Sequence, residues 1–399
     1  MTQGGTSGVG LLPDPEPRTQ RYTVISVDDH LVEPPDMFEG RLPARFQDLA
    51  PRVVENKLGH QLWEFDGQRY TQVGMNAVAG RRPESITLEP TRFEDMRPGC
   101  WDIDERIRDM DINGVWASLN FPSQITGFCG RVFSGASDPE LGAAVTRAWN
   151  DWMYEAWWQP YPDRIIPGGI TNLSDPELGA EEIRRNAARG FRSVTLPERP
   201  HKIGLPSIFT SYWDPIVTAC QETDTVISLH VGSSGIGDLP GDSPMVALGA
   251  TLFGQLSLTA CAEWLWSGLP SRFPGVKIAM SEGGIGWVAM LLDRLDNIVD
   301  RSGYGQEFAG GTERPADVLQ RNFWFCTIDD PSTIDTRDRI GIDHVMVEVD
   351  YPHGDSTWPD TQDVIHRAWG HLPVDDLRKM THQNAASLYR WPLPEVCLP

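Results

Sequence analysis

Val24-Ile25-Ser26-Val27-Asp28-Asp29-His30 is a β-branched apolar run that ends in Asp28-x-His30. Alternate side chains of a strand point to one face, so this spacing sets Asp28 and His30 side by side where the strand ends. Three later runs finish in the same manner: Thr225-Val226-Ile227-Ser228-Leu229-His230, Val276-Lys277-Ile278-Ala279-Met280-Ser281-Glu282 and His344-Val345-Met346-Val347-Glu348-Val349-Asp350. Each stops at a residue able to bind a metal or move a proton, with Gly or Pro close behind. Four strands ending this way predict one shared site rather than four surface loops.

Working outward, the intervening segments alternate. Asp102 precedes Ile103, Ile107 and Met110 at helical spacing, and Gly114 closes that helix. A strand is predicted over 115–121, a long helix from about Pro139 to Trp158, a strand over 164–170, a helix from Pro176 to Ala188 and a strand over 191–196. Helices from about Trp213 to Glu222, Val246 to Trp266 and Trp287 to Val299, a strand over 322–327 and a last helix from Val374 to Tyr389 complete the series. The tryptophan-rich helix reads as core or subunit interface. Eight strands with helices between them imply a parallel sheet with right-handed crossovers. The fold class expected is α/β, a single (β/α)8 TIM-type barrel over residues 21–399. Residues 31–100, with scattered Pro and Gly and an Asp66-Gly67 hairpin signal, are expected as a cap inserted after strand 1. Residues 1–20 are expected as a disordered Gly/Pro-rich tail.

Composition narrows the partners. The 399 residues are 40% hydrophobic, enough for a sizeable core, and no apolar run approaches the roughly 18 residues of a membrane span. Thirty-four basic residues face 56 acidic ones, a net charge of -22 that disfavours nucleic acid or an anionic membrane as the main partner. A small-molecule substrate is expected. The six cysteines form no C-x-x-C pair and read as mostly buried free thiols in a reducing compartment. With no charged n-region or apolar h-region at the start, a cytoplasmic location is expected.

At the strand ends Asp28, His30, His230, Glu282 and Asp350 would meet. Two imidazoles with two or three carboxylates match the ligand set of one divalent ion per chain, with a position left for water. The leading expectation is a metal-dependent hydrolase of a small cyclic or aromatic substrate, with Asp350 or Glu282 as base. Non-oxidative decarboxylation of an aromatic or unsaturated acid is the alternative, and a non-catalytic ligand-binding barrel the third. Arg45, Arg52, Arg81 and Arg82 in the cap are candidates to bind a substrate carboxylate. His353 and Asp355 are candidate pocket residues, Trp287 and Trp358 candidate walls, and Glu348 a buried structural acid.

These residues also resemble a known family. Ser26-Val27-Asp28-Asp29-His30, Gly99-Cys100-Trp101-Asp102 with Arg106, Met110-Asp111 and Gly114, Leu229-His230-Val231-Gly232, Ser281-Glu282-Gly283-Gly284-Ile285-Gly286-Trp287, Val349-Asp350-Tyr351-Pro352-His353 and Asn384-Ala385-Ala386 together are similar to the amidohydrolase-2 branch of the metal-dependent amidohydrolase superfamily. That group includes aminocarboxymuconate semialdehyde decarboxylase and related aromatic acid decarboxylases. The resemblance implies metal ligands at Asp28, His30, His230 and Asp350, and a homodimer. Two departures stand out. An acid, Asp28, opens the first-strand pair where many members have histidine, which widens the metal from zinc, expected first, to manganese, iron or magnesium. Glu282-Gly283-Gly284 stands where the well-studied decarboxylases have His-Gly-Gly, so the acid/base residue has changed type.

Overall fold

The computed structural model describes residues 10–82, 84, 86, 89–327 and 330–399. Parallel strands carry the architecture. β1 (Ile25–His30), β5 (Ala117–Phe121) and β6 (Ile165–Ile166) form one arc. β7 (Gly168–Gly169), β8 (Ser193–Leu196), β9 (Val226–His230), β10 (Ile278–Ser281), β11 (Phe323–Thr327) and β12 (Val345–Val347) form the other, in chain order. The strand predicted over 164–170 is split into β6 and β7 by Pro167, which has no N–H to give to a ladder. Beyond β12 the chain turns back to β1: the Asp350 N–H donates to the Asp28 carbonyl at 2.9 Å, and the Val349 N–H to Ser26 Oγ at 3.0 Å.

Between Ser26 and Asp29 the β1–β5 register slips, two residues on β1, Val27 and Asp28, facing one on β5, Leu119. A bulge of this kind breaks the strict alternation of faces. Val27 therefore packs with Ile25, Leu119, Met346 and Tyr389 in the apolar cluster, while its neighbour Asp28 turns toward His30, as the next subsection details. The sharing of a side by Asp28 and His30 was expected from simple alternation; it coexists with a bulge just before them.

Helices flank the sheet for reasons visible in the chain. Asp138-Pro139-Glu140-Leu141 and Asp175-Pro176-Glu177-Leu178 repeat one starter: the Asp carboxylate accepts the Glu N–H and proline occupies the first turn, where no N–H is needed. Asp102 caps the helix Ile103–Asn113 by accepting the Glu105 N–H at 3.1 Å, and Gly114 closes it at φ 70°. The helix expected from Val246 to Trp266 is two helices, Met245–Thr251 and Phe253–Trp266, bent by 54°. Its periodicity was correct in both halves and silent about the break.

Residues 31–100 hold a separate antiparallel sheet, β2 (Arg52–Glu55), β3 (Gln61–Phe65) and β4 (Gln68–Tyr70). The β3–β4 connection is Asp66 (φ 48°) and Gly67 (φ 73°), the two left-handed residues that a tight hairpin requires. The tail expected to be disordered differs over residues 10–20. The Leu12 N–H donates to the Gly80 carbonyl at 2.8 Å, Asp14 pairs with Arg97 at 3.0 Å, and Arg18 with Asp360 at 2.8 Å. The first nine residues lie outside the described ones. Trp149, Trp152 and Trp157 are buried within the chain, and five of the six cysteines are buried free thiols, Cys397 being exposed.

Candidate metal centre

The ends of β1, β9 and β10 and the turn after β12 bring together Asp28, His30, His230, Glu282, Asp350 and His353. His230 fixes the chemistry of the group. Its Nδ1 lies 2.6 Å from the Val231 carbonyl, an acceptor only, so Nδ1 carries the proton. Burial pulls the imidazole below its ordinary pKa, against the pull of Glu282, so the ring is neutral and Nε2 presents a bare lone pair. That lone pair points at His30 Nε2 (3.0 Å), Glu282 Oε2 (3.1 Å) and Asp28 Oδ2 (3.7 Å). His30 Nε2 in turn lies 3.4 Å from Asp28 Oδ1 and 3.2 Å from Asp350 Oδ1. Burial, with His353, His230 and Arg106 adding to it, holds His30 well below its ordinary pKa as well.

Lone pairs converging on one point repel unless a cation sits among them. The carboxylates tell the same story: Asp28 Oδ1 and Oδ2, Asp350 Oδ2 and His30 Nδ1 are buried with no hydrogen-bond partner, while Asp350 Oδ1 faces His353 Nδ1 at 2.9 Å. Buried polar groups are normally satisfied, and orphaning three carboxylate oxygens beside a fourth that faces one imidazole is costly without a further positive charge there. Burial first, then Glu348, Asp350 and Glu282, push the Asp28 carboxyl well up from its ordinary range. Burial does the same for Asp350, with His353 opposing. Asp29, next in the chain, is the contrast. It accepts from Ser26 Oγ at 3.1 Å, the Tyr351 N–H at 2.9 Å and Ser118 Oγ, a fully used structural acid. The Asp28, His30 and His230 donor atoms lie within 4.8 Å of one another, as do those of His30, Asp350 and His353 and those of Glu282, Asp350, His353 and Asp355. Two neutral imidazoles and two carboxylates therefore fit a divalent cation.

His353 stacks on the His30 ring at 3.8 Å between centroids, and its Nδ1 lies 2.9 Å from Asp350 Oδ1 and 3.8 Å from Glu282 Oε1. Burial works against a charge there, yet the two carboxylates outweigh it and hold His353 well above the ordinary imidazole range. Glu348 accepts the Glu282 N–H at 2.9 Å, so it steadies the residue that faces His230. The turn itself is tight: a Cβ at Gly283 would sit 2.1 Å from Ser257 Oγ. Trp287 donates from Nε1 to the Gly283 carbonyl at 2.9 Å and packs on Phe325, a wall of the Glu282 turn. Trp358 donates to the Asp109 carbonyl and lies under Arg97.

Arg45 and Arg52 are not brought into this group. Arg45 is 66% exposed and paired with Glu140; Arg52 is 65% exposed and paired with Glu64. Their expected role on a substrate carboxylate has no support in their placement. Arg106 does reach the centre: buried, it donates from Nε to the Gly99 carbonyl at 2.7 Å and from Nη2 to the His30 carbonyl, over the Tyr351 ring. In the sequence Arg106 stands out as a basic residue inside an amphipathic helix and as part of the family resemblance, with no role attached to it. Phe128, whose ring lies parallel to His230 at 6.0 Å, and Glu198 were missed outright.

Residues 41–391 match the profile of the amidohydrolase family. The chain belongs to that family. Solved structures agree in fold. An amidohydrolase from Mycobacterium avium subsp. paratuberculosis is 22% identical, the match covering 93% of this chain and 100% of that one at a TM-score of 0.74. A 5-carboxyvanillate decarboxylase from Novosphingobium aromaticivorans, complexed with manganese and 4-hydroxy-3-methoxy-5-nitrobenzoic acid, is 19% identical over 94% and 99% of the two chains at 0.65. A dihydroxybenzoic acid decarboxylase from Polaromonas, with manganese and 2-nitroresorcinol, is 19% identical over 94% and 98% at 0.63. Likeness to these folds makes the two parallel arcs of this amidohydrolase a TIM-type, mixed α/β architecture.

Proposed function

We propose that this amidohydrolase is a metal-dependent carboxy-lyase that removes carbon dioxide, without oxidation, from an aromatic or unsaturated carboxylic acid. The observation that carries the metal dependence is the bare Nε2 of His230 facing His30, Asp28 and Glu282. The choice of lyase over the hydrolase first expected from the sequence is supported by two of the three fold-mates above, a 5-carboxyvanillate decarboxylase and a dihydroxybenzoic acid decarboxylase. Asp28, His30, His230 and Asp350 would hold the ion. When bound, it supplies a Lewis acid for the substrate's carboxylate and adjacent oxygen. The two carboxylates, and the manganese bound in two of the fold-mates, favour manganese over the zinc expected first.

His353, between Asp350 and Glu282, holds the proton. As the carbon–carbon bond breaks, its electron pair stays on the ring carbon, the His353 proton completes a C–H bond there, and carbon dioxide leaves. Glu282 then returns a proton from solvent to His353. Residues 31–100 are assigned the role of a cap over this face, and residues 21–399 that of one catalytic domain. A cytoplasmic homodimer completes the proposal; the exposed Met245 and Val246, 46% and 85% accessible, offer an apolar face for it.

Manganese-loaded protein incubated with 2,6-dihydroxybenzoate and 5-carboxyvanillate in deuterated water should release carbon dioxide and leave one deuterium on the ring. A second reading, hydrolysis of an uncharged substrate, is favoured by the acidic surroundings of Asp28, Asp350, Glu282 and Glu348. Turnover of neutral amides or esters with no carbon dioxide from any acid would replace the first reading with the second.

A further inference from the structure

β8 ends at Leu196, and two residues later comes Glu198, an acid that the chemistry above does not use. It is 2% exposed. Its backbone is held on both sides: the N–H donates to Ser233 Oγ at 3.0 Å and the carbonyl accepts from Trp264 Nε1 at 2.9 Å. The next N–H, of Arg199, donates to Ser234 Oγ at 2.9 Å. The end of β8 is thus stitched to the loop that leaves His230. The Gly232 backbone N–H lies near the Glu198 carboxyl and favours its charged form, and Glu198 Oε1 has no partner. Thr195 Oγ1, on the same strand, is buried and unpartnered too. Arg199 does not neutralise the acid, because its guanidinium grips Glu263 at 2.6 and 3.1 Å.

Register fixes where this residue stands. Leu196 pairs with Leu229, and His230, the last residue of β9, with Ser281, so the ends of β8, β9 and β10 lie side by side with Glu198 and Glu282 just beyond β8 and β10. Asp29 has its oxygens used, and so does Glu33, by the Ser123 N–H and Oγ and by Trp149 Nε1, whereas Glu198 Oε1 stays open, as Glu348 Oε1 does beside the centre. Glu198 falls in none of the ligand groups within 4.8 Å of one another. A buried, clamped and unpartnered oxygen on this rim is available for contact with a bound molecule.

We propose that Glu198 is a substrate-binding residue, its Oε1 hydrogen-bonding a negatively charged oxygen, carboxylate or phenolate, on the side of the site bordered by His230 and Glu282. The proposal rests on the carboxylic-acid reading for the class of substrate. Burial, reinforced by Glu282 and Glu263 against Arg199 and the Gly232 N–H, pushes the Glu198 carboxyl up to about 8, with Cys129 as its other titratable neighbour. A neutral acid donates a hydrogen bond to an anion where an ionised one would repel it. Among Asp28, Asp350, Glu282 and Glu348, this donor adds to the proton on His353 in accommodating an anionic substrate.

The test compares the manganese-loaded full chain with Glu198→Gln and Glu198→Met by calorimetric titration with 2,6-dihydroxybenzoate, alongside metal content and Tm. Glu198→Gln, which keeps a donor, should bind within about threefold of wild type, and Glu198→Met at least tenfold more weakly. Metal content should hold in both, and Tm should stay or rise, since an unsatisfied buried group has been removed. Unchanged affinity in Glu198→Met, or a lowered Tm with loss of metal, would overturn the proposal. If the wild type binds no benzoate at all, the carboxy-lyase reading fails separately. The Tm of Glu198→Met then decides alone: at or above wild type supports a ligand-facing acid, below it a structural one.

Discussion

Asp28→Asn separates a carboxylate that serves a metal from one that serves the fold. In the metal-free protein both Asp28 oxygens are fully buried and unpartnered, with neutral His30 and His230 Nε2 at 3.4 and 3.7 Å. Asparagine keeps the shape, cannot ionise, and offers an N–H to one of those lone pairs. Relief of one unsatisfied buried group is worth about 1–3 kcal/mol. For 399 residues the unfolding entropy is roughly 0.8 kcal/mol/K, so the metal-free Tm should rise by about 1–4 °C. Manganese reverses the comparison. At a thousandfold excess over Kd it stabilises the wild type by about 4 kcal/mol, roughly 5 °C. A hundredfold weaker site gains only about 1.4 kcal/mol at the same concentration, roughly 2 °C. Differential scanning fluorimetry in chelator and in manganese reads both quantities. A variant that melts below wild type in chelator, or that keeps the full manganese shift, would refute the assignment of Asp28 as a ligand held without a structural role.

Other outcomes follow from the same geometry. Arg106→Met removes two hydrogen bonds to the Gly99 and His30 carbonyls and should cost about 2–4 kcal/mol in urea unfolding, with weaker metal binding measured by elemental analysis. Arg45→Ala and Arg52→Ala, both exposed and paired away from the centre, should leave turnover unchanged and stability within about 0.5 kcal/mol; a raised KM in either would restore the carboxylate-binding role. Glu198 has its folded pKa raised to about 8, so between its unfolded value and 8 the native state binds the extra proton. Stability from this group is present at low pH and lost as pH rises toward 8, by up to about 1.4 kcal/mol per unit. The decline in metal-free Tm between pH 5 and 8 should be shallower in Glu198→Gln, and an identical slope would contradict the raised value.

The centre was legible because each of its strands is a short apolar run that stops at a polar residue, a pattern set by burial on both faces of a parallel sheet. Asp28, His30, His230, Glu282, Asp350 and His353 all carry that signature or sit just past it. Glu198 carries it more weakly, two residues beyond the last strand residue and behind a proline. Which of two adjacent aspartates is the structural one was decided by partners far away in the chain, Ser118 and Tyr351 for Asp29, and no local pattern encodes those. Arg45 and Arg52 lie away from the centre for a related reason: an arginine's reach is set by the nearest carboxylate, and Glu140 and Glu64 hold these two. The break between Met245–Thr251 and Phe253–Trp266 has Leu252 at the bend itself, and its only mark in the residue types is the flanking pair Gly249 and Gly254, which an apolar helical periodicity runs through.

Glu282 and Asp350 stand at φ 61° and 59°, in the left-handed region where a side chain other than glycine's costs roughly 1–2 kcal/mol. Both acids lie one nucleotide transition from glycine, the residue that would relax them. A population of this chain kept under selection for folding alone should therefore lose these two positions early, each change raising stability as it erases chemistry. The presence of acids at both strained positions is thus itself a record of selection for something other than the fold.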